Sequence, residues 1–171
     1  MVTRFLILLS LLLSAAIFGF FCAWVCSTMW GLDAAEPRIA IQAKQAMNAS
    51  VRNAVFAPAF FGTPIALGVT ACVIWRQNPA VSAAFFAASA GIYLALGLLL
   101  TMFVNVPMNE TLAVLEVPNS LSGAQNIWDN YSSGWQFWNQ FRTVTSGLSF
   151  LLAVAGVLSM MPREIKYVSI S

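Results

Sequence analysis

The sequence predicts an all-α integral membrane protein, a four-helix bundle forming a single domain over residues 1–171, and three observations lead there. Only 8% of the 171 residues are charged while 60% are hydrophobic, and the mean hydropathy is +0.79; soluble domains carry roughly a quarter charged residues. Four apolar stretches, about 5–29, 55–75, 80–104 and 144–161, approach or exceed the roughly 20 helical residues that cross a bilayer core. Runs such as Phe5 to Ser14 do not alternate polar with apolar residues, as the strands of a membrane barrel must.

The first span opens with Arg4 and continues through Phe18, Phe20, Phe21 and Trp24. That exceeds the roughly 7 to 15 apolar residues of a signal-peptide core, so the reading is a retained helix. Trp30, Gly31 and Asp33 end it with an interfacial aromatic, a helix stop and an acid suited to the next helix N-terminus. Pro37 suits a first helical turn, and from Arg38 a polar helical extension precedes span two. On it Arg38, Gln42, Gln45 and Arg52 share one face, with Lys44 and Asn48 in an adjoining row. A solvated amphipathic helix accounts for Arg38 and Lys44. Asn48 and Arg52 stand closer to the lipid boundary.

Span two carries Pro58, Gly62 and Pro64, which predict a kinked or locally unwound outer half. After the turn Arg76–Pro79, span three has small residues at Ala83, Ala84, Ala87, Ala88 and Gly91, suited to close helix packing in lipid. It ends at Asn105-Val106-Pro107-Met108-Asn109, where two amides around a proline predict a break that protein or water must satisfy. A partly helical loop follows, with two turns over 110–117 capped by Asn109 and a loop through Pro118–Gly123. Ser132 and Ser133 are candidate N-caps for the last helix. Its Trp135, Trp138, Asn139 and Arg142 fall at i, i+3, i+4 and i+7, either an interfacial aromatic belt with a snorkelling arginine or a bundle-facing polar site. The tail from Met161 through Lys166 is given no function.

Four spans place both termini on one side and gather Asn48 and Arg52, Asn105 to Glu110, and Trp135 to Arg142 at the other. The basic residues split evenly, Arg4, Arg76, Arg163 and Lys166 against Arg38, Lys44, Arg52 and Arg142, all 8 of the chain. The unopposed Arg4 puts the termini in the cytoplasm; separately, a bacterial inner membrane is expected rather than a eukaryotic one. Scattered basic residues and a net charge of +2 leave no nucleic-acid footprint. With no histidine and only 3 cysteines, the usual transition-metal and haem ligands are nearly absent, and no metal site is expected.

Gln45-Ala46-Met47-Asn48, Asn105-Val106-Pro107-Met108-Asn109, and Trp138-Asn139 with Arg142, set in four spans of this length, resemble the four-helix membrane proteins related to fungal anthrone oxygenases. The resemblance implies oxidation of an anthrone-type polycyclic substrate by molecular oxygen, with no cofactor. It implies Arg52 and Arg142 as oxyanion-stabilising groups and Glu110 as the base, given burial that raises its pKa. Asn48, Asn105, Asn109 and Asn139 become hydrogen-bonding partners of the substrate, and Trp135 and Trp138 stacking platforms. The chain departs from the fungal enzymes in having no histidine, the side chain best suited to proton transfer at neutral pH.

The alternative is a non-catalytic accessory subunit or lipid or small-molecule binder whose polar cluster only locks the bundle. A transporter is weaker, because spans one and three have almost nothing polar at their centres. The implied partners are membrane lipid, a hydrophobic aromatic small molecule, and copies of itself or a larger membrane complex.

Overall fold

The computed structural model describes residues 1–161; Pro162 to Lys166 of the tail, including the basic residues Arg163 and Lys166, lie outside the described residues. Five helices account for the described residues: α1 (Val2–Asp33), α2 (Pro37–Ser50), α3 (Phe56–Trp75), α4 (Ala80–Ala113) and α5 (Leu121–Leu158). All except α2 are long and apolar enough to cross a membrane.

Their lengths position everything else. α1, α4 and α5 have 32, 34 and 38 residues against 20 in α3. At about 1.5 Å per residue the three long helices outrun a hydrocarbon core of about 30 Å, whereas α3 just spans it. The amphipathic α2 fills the place that α3 leaves at one end, packing on α1, α4 and α5. There it completes a second core with Met29, Ile41, Leu112, Trp128 and Trp135, distinct from the lower bundle core around Leu67, Ile74 and Phe86.

Close contacts hold the spans together where side chains are small. Ser89 and Ser149 exchange hydrogen bonds between α4 and α5, Ser82 donates to the Gly156 carbonyl, and Ser10 and Thr70 join α1 to α3. A Cβ on Gly156 would come within 2.9 Å of the Phe86 ring, and one on Gly147 within 2.9 Å of Phe18. Apolar side chains such as Phe5, Leu12, Ile65, Val144 and Leu151 face outward.

Several boundaries differ from the sequence reading. The break expected at Asn105–Asn109 is absent: α4 continues to Ala113, with a wide π-helical turn over Thr101–Asn105 just before Pro107. The Val106 N–H reaches back five residues to the Thr101 carbonyl, which loosens the turn on which the Pro107 ring would otherwise press. Nor is the outer half of α3 unwound. Pro58 lies in its first turn, and Pro64 sits inside a continuous helix. Lacking an N–H, Pro64 leaves the Phe60 carbonyl without its helical donor; the Tyr93 hydroxyl of α4 donates to that carbonyl at 3.1 Å.

The last helix begins at Leu121, capped by Ser120 Oγ, which accepts from Gly123 N–H at 3.2 Å. Ser132 and Ser133 are therefore mid-helix. The segment before residue 144 is polar on its outward side, yet Ala124, Trp128, Tyr131, Trp135 and Asn139 carry one buried stripe down from the head. Asp33, expected to serve the next helix, instead accepts from Trp128 Nε1, Ser132 Oγ and Gln136 Nε2 at 2.7 to 2.9 Å, tying α1 to α5.

Candidate functional site

Where the head meets the spans, a cavity of about 650 Å³ opens among α1 to α5, within the range of small-molecule sites. Its apolar wall is aromatic: Phe20, Phe21 and Trp24 from α1, and Phe56 and Phe60 from α3. Phe56 and Phe60 stack at 5.2 Å between centroids, and Phe20 lies 4.8 Å from Phe56. Two π-helical turns stand at this level, Trp24–Thr28 in α1 and Thr101–Asn105 in α4. Each inserts a residue into the helical register where a wall residue, Trp24 or Thr101, turns toward the cavity.

Arg142 supplies the deepest charge. It is 5% exposed, and its Nε and Nη2 donate to Asn139 Oδ1 at 3.0 and 2.9 Å while Nη1 donates to Thr101 Oγ1 at 3.3 Å. Asn139 is anchored in turn by Nδ2, which donates to the Phe21 carbonyl at 3.3 Å. The guanidinium also stands 4.3 Å from the Phe21 ring centroid. Among the described residues no carboxylate pairs with it, so its hydrogen bonds are satisfied by neutral groups and its charge is not.

The other residues singled out in the sequence divide. Asn48, Arg52, Asn109 and Glu110 line the cavity with Arg142. Arg52 does not turn inward to join it: its side chain is 62% exposed and pairs at 3.1 Å with Glu110, itself 59% exposed. The pair stands at the cavity mouth, and the burial expected to raise the Glu110 pKa is missing because α3 starts below it and leaves that side open. Asn109 is not a helix cap. Its Oδ1 accepts from Trp135 Nε1 at 2.8 Å and from the Tyr131 hydroxyl at 2.9 Å, so Trp135 holds a lining residue in place without lining the cavity itself. Trp138 packs against Phe137 and Phe141 on the outer side of α5, in keeping with an aromatic belt. Asn105 is fully buried, and among the described residues neither of its side-chain polar atoms has a partner.

Sequence reasoning passed over Thr101, Tyr131 and the aromatic wall of α1 and α3, and it put Lys44 in solvent. Lys44 is 0% exposed, with Nζ 3.4 Å from the Trp135 ring centroid and 3.9 Å from that of Trp24. The signal was present: Ala40, Ile41, Lys44 and Asn48 lie on one helical stripe, and only the charge argued against burial. Burial and the nearby Arg142 push the Lys44 amine down from 10.5 to about 6. Arg38 keeps its expected exposed position, ion-paired with Glu36. Among the described residues no three His, Cys, Asp or Glu side chains gather as a metal site.

The family model described as anthrone oxygenase matches residues 51–152, well over half of the chain. No curated protein and no solved structure matches it.

Proposed function

The chain belongs to the anthrone oxygenase family, and from that premise we propose that it oxidises a lipophilic, anthrone-type polycyclic aromatic with molecular oxygen inside the cavity described above. The observation that carries the reading is the pairing of an aromatic-walled chamber with a buried guanidinium that has no carboxylate partner among the described residues. A flat substrate lies against Phe56 and Phe60 with its carbonyl toward Arg142. Loss of a proton from the ring CH2 makes that carbonyl oxygen an oxyanion, and a fixed positive charge away from water stabilises it. The anion gives one electron to O2, and the resulting radical and superoxide join in a C–O bond. A proton completes the hydroperoxide. Loss of the second ring C–H proton, with cleavage of the O–O bond, expels hydroxide that leaves as water, so substrate and O2 become quinone and H2O.

A binding role without turnover is the second reading. It is favoured by the fact that Arg142 already donates to Asn139 and Thr101, as a purely structural lock would. Oxygen uptake by the purified protein with an anthrone separates the two. Arg142→Gln, melting like the wild type, is expected to lose roughly a hundredfold or more in turnover. Unchanged turnover in that variant, or no uptake by the wild type, removes the oxygenase reading. In our reading the termini are cytoplasmic, as the unopposed Arg4 suggests, the membrane is a bacterial inner membrane, and bilayer lipid surrounds the spans.

A further inference from the structure

Lys44 has no part in the reaction as drawn above, yet it is buried beside the cavity. Its Nζ has no hydrogen-bond partner among the described residues. Trp24, one of the two indoles facing it, is a wall of the cavity. Asn48, one turn further along α2, lines that cavity with an Nδ2 that is also unpartnered. The amine thus stands one layer of side chains behind the wall. The charged and titratable groups on the elements packed around it are spoken for or of like sign. Asp33 of α1 accepts from Trp128, Ser132 and Gln136, and Glu110 of α4 pairs with Arg52. From α5 come Arg142 and the Tyr131 ring, the latter 6.0 Å from Nζ.

Building on the oxygenase reading, we propose that Lys44 is the proton acceptor of this cavity: a neutral amine at rest, it takes the proton lost by an acidic polycyclic aromatic ligand and holds it as an ammonium in the indole cage. In that step an O–H or C–H bond of the ligand breaks with its electron pair staying on the ligand, and an N–H bond forms. Nothing is oxidised or reduced. Because one layer of side chains separates the amine from the cavity, the proton crosses that layer through water. Burial and Arg142 favour the neutral amine, pushing it down to about 6. The facing indoles favour the cation, and the ligand's new anion adds to that once formed. Such opposed influences suit a group that must gain and return a proton near neutrality. Lys44 precedes the segment that the family model covers, so the role is inferred from this chain's geometry.

The test uses danthron, a dihydroxyanthraquinone dye that has no ring CH2 to oxidise and whose visible absorption reports ionisation. At pH about 7.5 the wild type is expected to bind the dye as its anion with no proton appearing in an unbuffered medium, because Lys44 keeps it. Below about pH 6 the amine is already protonated, and each bound dye then releases one proton. Lys44→Arg, whose guanidinium cannot accept a proton, is expected to release one at both pH values and to lose roughly 10²- to 10⁴-fold in anthrone turnover. Lys44→Met is expected to bind the dye neutral. The proposal is overturned if the dye fails to bind the wild type, if it binds there in neutral form, if Lys44→Arg binds it at pH about 7.5 without releasing a proton, or if Lys44→Met binds it as the anion. Proton retention by the wild type without oxygen uptake on an anthrone removes the oxygenase reading and leaves the role of Lys44 standing.

Discussion

At the scale of single residues, the site is organised by what each buried polar group lacks. Asn139 is the acceptor for two donors of Arg142, so Asn139→Ala strands a guanidinium in the bundle. The expected cost is about 3 kcal/mol, seen as a lower unfolding midpoint in detergent; an unchanged midpoint means that water replaces the amide. Lys44 makes a different prediction. Its amine titrates near 6 when folded and 10.5 when free. Between those values the unfolded chain binds the extra proton, so the Lys44 contribution to stability rises with pH, by about 1.4 kcal/mol per unit. It is least favourable below about 6 and carries no penalty above 10.5. Lys44→Met should therefore melt higher than the wild type at pH near 7 and flatten the pH dependence of the midpoint. A variant that melts lower there, with the same slope, contradicts the burial of an uncharged amine.

At the scale of elements, neighbouring helices repair each other's defects. Pro64 frees the Phe60 carbonyl of α3, and Tyr93 of α4 satisfies it. Tyr93→Phe is thus expected to destabilise by about 1–3 kcal/mol, whereas Pro64→Ala, which restores the N–H, should make the same Tyr93→Phe change nearly neutral. Unfolding of the two single variants and the double variant measures that coupling. The α4–α5 contact is tightest at Gly156, where a Cβ meets the backbone-proximal Phe85 Cβ at 3.2 Å as well as the Phe86 ring. Gly156→Val is expected to cost about 1–3 kcal/mol through overpacking. The Tyr93–Phe60 bond explains why Pro64, which looks like a helix break in one dimension, lies within a continuous helix.

At the scale of the whole molecule, three helices longer than a bilayer and one that just spans it leave a notch, and α2 roofs the notch to make the chamber. The proposed orientation places Asn119 in the α4–α5 connection on the outer side and Gln77 in the α3–α4 turn on the cytoplasmic side. A membrane-impermeant thiol reagent should label Asn119→Cys in intact cells and Gln77→Cys only after lysis, in a background without native cysteines; the opposite pattern inverts the orientation. Composition and long apolar runs were sufficient to determine a helical bundle with four spans, because hydrocarbon leaves a chain few other ways to satisfy its backbone. Motif spacing also located one end of the bundle as the polar end and selected Arg142, Asn139, Asn109 and Asn48. It could not tell that Arg52 and Glu110 pair at the rim or that Trp138 faces outward, and the charge of Lys44 hid a burial that its helical stripe marked. Those outcomes depend on how far each helix projects and which neighbour closes over it. A side chain's solvent is set by the packing of other helices, and local sequence does not encode that packing.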